Sequence, residues 1–154
     1  MDGFLVKRPG FLTTVQDKGR FGYQWSGLSP AGAMDLHSMR LANLLVGNEM
    51  DEAALEITII GPTLEFHTDT VIAIAGADLS PVLDGVPLPT YQAVPVHSGA
   101  ILSFGARTSA PRFACVYMKS GMRRVSPCSG AVSALQLAAN YSRVRALMVC
   151  HGRF

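Results

Sequence analysis

"ALEITIIGPTLEFHTDTVIAIAGADLSPVLDG", residues 54–85, decides the fold class. β-branched and aliphatic residues come in short runs, and turn residues separate them. "ALEITII" stops at Gly61-Pro62, "TLEFH" alternates apolar with polar residues, and "TVIAIAGA" reads as a buried strand. Asp84-Gly85, set between apolar flanks, is a two-residue hairpin signal, because both positions must accept a left-handed backbone.

The pattern continues outward in both directions. "AVPVHSGAILSFG" (93–105) gives two short strands about a Ser98-Gly99 turn, and "PRFACVYM" (111–118) gives another. On the N-terminal side, "GFLVKRPG" (3–10) is a strand ended by Pro9-Gly10, and "FLTTVQ" (11–16) is a second. Between them and the β run lies a different region. Residues 17–33 form a loop containing Gly19, Gly22, Gly27, Pro30 and Gly32. "AMDLHSMRLANLLVGN" (33–48) then places Leu36, Met39, Leu41, Leu44 and Leu45 on one stripe at helical spacing, followed by Gly47 where a left-handed cap belongs. A helix is expected over Met34 to Val46. Close-spaced strands with glycine turns and a single main helix point to a mostly β barrel or sandwich, not to βαβ units.

Composition limits the function classes. The chain has 154 residues, 49% hydrophobic and 16% charged, which is enough to bury one core. It contains no apolar run long enough for a membrane-spanning helix and no recognisable signal peptide, so a cytoplasmic protein is expected. Cys115, Cys128 and Cys150 are widely spaced with no CxxC, and are read as free thiols. His37, His67, His97 and His151 are isolated, so no metal site is expected. The net charge of +2 conceals an asymmetry. Residues 1–84 carry 11 acids against 5 bases (5 − 11 = −6), whereas residues 85–154 carry 8 bases and no acid (+8). The bases are scattered and the aromatics near them isolated, which argues against a nucleic-acid surface.

The polar residues of interest cluster around the loop and helix: Gln16, Asp17, Arg20, Ser29, Asp35, Arg40, Asn43, Asn48 and Glu56. Asp17 and Arg20 flank Gly19 and are placed either to pair or to bind a polar ligand; Gln16-Asp17 is equally a strand end turning into a loop. Asp35 sits where exposed helix N–H groups favour a negative charge, as a cap or as a reactive carboxylate. Arg40 and Asn43 share a helix face. Glu56, inside an apolar strand, must face solvent or find a partner, since burying it unpaired is costly. "GLSPAGA" (27–33) lacks the flanking pattern of a serine-hydrolase nucleophile elbow, and no GxGxxG or P-loop occurs.

Taken in order, "GFLTTVQDKGRFGYQWSGLSPAGAMDLHSMRLANLLVGN", "AALEITIIGPTLEF", "IAGAD" and "LDG" resemble the 5-oxoprolinase C-subunit family over about residues 3–118. The same family is called the biotin-dependent carboxyltransferase or allophanate hydrolase subunit 2 family and is related to urea amidolyase. The resemblance implies a cyclophilin-like β-barrel domain over 1–118, truncated relative to a tandem-barrel family. It also implies one component of a cytosolic, ATP-dependent amidohydrolase that opens 5-oxoproline to glutamate, with partners similar to the 5-oxoprolinase A- and B-subunits. In that setting Asp17, Arg20 and Glu56 are the candidate catalytic residues. Gln16, Ser29, Gly32, Asp35, Arg40 and Asn43 are the candidate substrate-binding residues. ATP is the expected cofactor of the complex; no metal and no biotin-attachment Met-Lys-Met are expected in this chain. The alternatives are a regulatory module that sequesters a kinase-inhibitor-like partner and a carboxyltransferase-like domain of urea or allophanate metabolism.

The resemblance fails after "ACVYMKSG". The family continues with a pattern like GGID…PVLGSRST, whereas residues 122–132 read "MRRVSPCSGAV". One choice of synonymous codons for this stretch, with wobble bases chosen to fit, spells D-A-T-C-L-P-V-L-G-S-R when read one base earlier with a leading G. Residues 119–154 are accordingly expected to be an atypical tail, with a frameshift favoured over a divergent but genuine C-terminus.

Overall fold

The computed structural model describes residues 3–105 and 113–118. Among the described residues, ten strands and one α-helix follow one another as β1 (Phe4–Arg8), β2 (Leu12–Gln16), α1 (Leu36–Val46), β3 (Ala54–Thr58), β4 (Thr63–Phe66), β5 (Thr70–Gly76), β6 (Pro81–Leu83), β7 (Val86–Pro87), β8 (Ala93–Val96), β9 (Ile101–Phe104) and β10 (Phe113–Met118). A single turn of 3₁₀-helix spans Gln24–Ser26.

The strands form two five-stranded antiparallel sheets, ordered β1-β4-β9-β6-β7 and β2-β3-β10-β5-β8. The mostly β, one-helix architecture is the one expected. The expected ring is not closed: among the described residues both sheets have free edges, and they stack face to face. Apart from β2–β3 and β6–β7, consecutive strands divide between the sheets. β1 pairs with β4 while β2 pairs with β3, so Pro9-Gly10 carries the chain from one layer to the other. The Ser98-Gly99 turn does the same, since β8 pairs with β5 and β9 with β4 and β6. The Asp84-Gly85 hairpin forms as expected, with φ of 49° and 85° and Leu83 opposite Val86.

Alternation along the strands explains both layers of packing. In β3 and β5, Leu55, Ile57, Ile72 and Ile74 point between the sheets, where they meet Leu64, Phe66, Val96 and Leu102 in the main core. The intervening positions, Ala54, Ala73 and Ala75, point outward and carry the helix, whose Met39, Ala42 and Val46 lie on them. "TVIAIAGA" is buried on both faces for this reason: isoleucines fill the space between sheets, and alanines leave room for a helix to lie close. Helix α1 begins at Leu36 instead of Met34 because Asp35 caps it, its Oδ1 accepting from Ser38 N at 3.0 Å. Gly47 ends it at φ 76°.

Candidate functional site

The loop of residues 17–33 grows from the end of β2 and returns to the start of α1, and it is closed at its neck. Asp17 O accepts from Ala33 N at 2.9 Å, and Pro30 O accepts from Arg20 N at 2.8 Å. The two strands of the neck touch at glycines. A Cβ on Gly32 would lie 2.7 Å from Gly19 N, and one on Gly19 would lie 2.5 Å from Ala31 O. Both glycines have positive φ, 82° and 94° in chain order, so any other residue at either position meets strain as well as collision. The Asp17 side chain tightens the turn, Oδ1 accepting from Gly19 N at 2.7 Å.

The end of the loop is stapled to the sheet by Glu56. This residue lies on β3 with Ala54, on the face that carries the helix, and is 8% exposed. Its Oε1 accepts from Met34 N at 2.8 Å. Burial pushes its carboxyl above the ordinary value; donors from the Met34 and Asp35 backbone pull the other way, and the nearby Asp35 charge adds to the rise. Asp35 behaves oppositely. Burial raises it, but the Ser38 hydroxyl on Oδ2 at 2.6 Å, the backbone donors and the His37 charge outweigh burial and hold it below the ordinary carboxylate value. Two carboxyls at one helix N-terminus are thus pushed apart in proton affinity, Glu56 upward and Asp35 downward.

The remaining expected residues bond to separate partners. Gln16 Nε2 donates to Thr14 Oγ1 at 3.1 Å, along β2. Arg20 Nε donates to Ser29 O at 3.2 Å, so Arg20 and Ser29 meet across the loop. Arg40 Nε and Lys18 Nζ both bond to Asp51, at 3.2 and 3.3 Å, which ties loop to helix; Lys18 first and then Arg40 lower the Asp51 carboxyl. Asn43 is fully buried, and its amide is saturated: Nδ2 donates to Glu52 O at 2.9 Å, and Oδ1 accepts from Asn48 Nδ2 at 3.0 Å. It shapes the chain after α1. The structure therefore brings Asp17, Gly32, Asp35 and Glu56 to one junction and pairs Arg20 with Ser29. Gln16 and Asn43 are engaged elsewhere.

Sequence reasoning missed Asp51 and Ser38. Asp-x-x-Ser at a helix start was a readable capping signal. Asp51 had none, because its partner Lys18 lies 33 positions away. Among the described residues, no group of three or more His, Cys, Asp or Glu is placed to hold a metal ion, and no helix is long and apolar enough to cross a membrane. Cys115 stands opposite Glu56 in the β3–β10 register; Cys128, Cys150 and the expected frameshifted tail lie outside the described residues.

A profile of the carboxyltransferase domain, subdomain A and B, matches residues 26–145. The chain is 46% identical over 108 residues to a urea amidolyase of Saccharomyces cerevisiae, covering 70% of this chain and 6% of that protein. It is 45% identical over 98 residues to the 5-oxoprolinase C-subunit of Escherichia coli, covering 64% of this chain and 32% of that one. Among solved structures, the Kluyveromyces lactis urea carboxylase superposes with a TM-score of 0.73 at 44% identity, over 77% of this chain and 10% of that one. TTHA0988 superposes with a TM-score of 0.77 at 33% identity, over 86% of this chain and 27% of that one. The chain thus spans about a third of the length of the curated 5-oxoprolinase relative, and far less of urea amidolyase.

Proposed function

The chain belongs to the carboxyltransferase domain family, subdomain A and B, and from that premise we propose that it acts as the C-subunit component of a cytosolic 5-oxoprolinase, opening the lactam of 5-oxoproline to glutamate in company with proteins similar to the A- and B-subunits. The observation that carries the reading is Glu56, an ionisable group 8% exposed at the junction of loop and helix, with its proton affinity raised by burial. Lactam opening joins a water oxygen to the carbonyl carbon, breaks the carbon–nitrogen bond and delivers a proton to the leaving nitrogen. A carboxyl whose proton affinity is raised by burial suits that transfer. Asp17 and Asp35 border the same junction, Asp17 through the loop neck and Asp35 through the helix cap.

The described residues do not fit a nucleoside triphosphate. Lys18 and Arg40 are bound to Asp51, Arg20 reaches Ser29 O, and the neck glycines close on each other without forming an open cradle. The reading therefore assigns ATP to the partner proteins.

A second reading rests on the 46% identity to urea amidolyase: a carboxyltransferase-like role on urea or allophanate. Purification of the chain with its 5-oxoprolinase partners separates the two. ATP-dependent glutamate release from 5-oxoproline, reduced roughly 10²-fold or more by Glu56→Gln, is the expected result. Turnover of urea or allophanate instead supports the second reading. A stable complex without turnover points to a regulatory binding module.

A further inference from the structure

The outer face of the second sheet is divided between an apolar and a polar half. Helix α1 packs across β5 and β10. On β2, alternation turns Thr13 and Val15 inward and leaves Thr14 and Gln16 on the outer face, both half-buried. Thr14 is directly opposite Glu56 in the β2–β3 register, and Gln16 is opposite Ala54. Directly opposed side chains start about 5 Å apart and diagonal ones about 7–8 Å. Gln16 therefore does not join the junction of Asp17, Asp35 and Glu56, but it is based one strand away from Glu56 on the same face. Among the described residues β2 is also an edge of its sheet, so this polar shelf is open to a small molecule from the side.

The Gln16 side chain is held and only partly used. One Nε2 proton goes to Thr14 Oγ1 at 3.1 Å; among the described residues, the other Nε2 proton and Oε1 have no protein partner. A carboxamide presents an acceptor and a donor on one edge, and its complement is a group with N–H and C=O side by side. An ordinary peptide bond is trans and points the two in opposite directions, so it satisfies only one of them. A lactam is locked cis by its ring, and urea also carries an N–H beside its carbonyl. We propose that Gln16 is a specificity-determining residue of this site, its carboxamide pairing with the cis-amide edge that lactams and urea share, and that Thr14 is the positioning residue that holds it toward Glu56. The inference rests on the reading of Glu56 as the proton carrier for such a substrate, but it is tested by binding, so its failure is distinct from a failure of turnover.

Nuclear magnetic resonance of the full chain reads it directly, with the side-chain amide signals of Gln16 followed during titration with 5-oxoproline, with its lactone counterpart, which lacks the N–H, and with urea at non-denaturing concentrations. Saturable movement of those signals by 5-oxoproline, with the lactone binding roughly tenfold or more weakly, is the expected result, since the lactone leaves Gln16 Oε1 unpaired. Thr14→Val should weaken lactam binding severalfold and Thr14→Ser should restore it; Gln16→Ala should abolish the preference for lactam over lactone. Equal binding of lactam and lactone by the unaltered chain overturns the proposal. So does the lack of any saturable shift with both 5-oxoproline and urea, or a shift confined to the Trp25 indole, 86% exposed at the loop tip. Movement of Gln16 by urea but not by 5-oxoproline supports the cis-amide assignment and removes the 5-oxoprolinase reading alone.

Discussion

Asp35 and Glu56 are neighbours with opposite electrostatic fates, and their pH responses should differ in sign. Asp35 has a lowered carboxyl, so its stabilisation is present above its unfolded value and is lost as pH falls through the folded one. Asp35→Ala removes the cap and should cost about 1 kcal/mol at neutral pH, read by denaturant unfolding, with the difference shrinking in acid. Glu56 has a raised carboxyl, so its contribution is fully present below the ordinary value of 4.5 and is lost as pH rises through its higher folded value. Glu56→Gln keeps an acceptor for Met34 N without a charge and should flatten that pH dependence. Glu56→Ala orphans the Met34 donor and should cost about 1–3 kcal/mol. Only one of these two residues was legible in the sequence. Helix-start chemistry made a cap at Asp35 foreseeable. For Glu56 the sequence offered only a choice between solvent and a partner, because its partner is a backbone amide 22 positions away.

At the level of elements, the loop neck and the helix seat depend on residues defined by their lack of bulk. Gly32→Ala places a methyl group against Gly19 N at a backbone angle that L-residues avoid, and should cost about 1–3 kcal/mol while making residues 17–33 more sensitive to limited proteolysis. Ala73→Leu pushes into α1 and should cost about 1–3 kcal/mol, measured as a lowered melting temperature. The strands and the existence of the helix were legible because apolar periodicity is local, as in "TVIAIAGA". The helix's buried face was not, since of the expected stripe only Met39 is buried, Leu44 is 55% exposed, and Ser38, Ala42, Asn43 and Val46 are buried instead. Neither was strand pairing. Nothing near Ser98-Gly99 says that its two strands join different sheets, since that follows from which partners β5 and β4 have already claimed. The same holds for Asp51, which gathers Lys18 and Arg40 from distant parts of the chain.

Across the whole molecule, the two sheets share one core. Leu102→Ala, at a fully buried site between the layers, should cost about 2–5 kcal/mol and lower both sheets' stability in a single cooperative transition, visible by far-ultraviolet circular dichroism. The interior relies on Phe66, Met39 and aliphatic side chains, and the chain's single tryptophan, Trp25, lies at the loop tip with 86% of its surface in water. Its indole emission is therefore a local reporter. It should be red-shifted and open to iodide quenching in the native chain, and nearly blind to the melting of the sheets. A shift to shorter wavelength on mixing with a candidate partner would register contact at that tip without any added label.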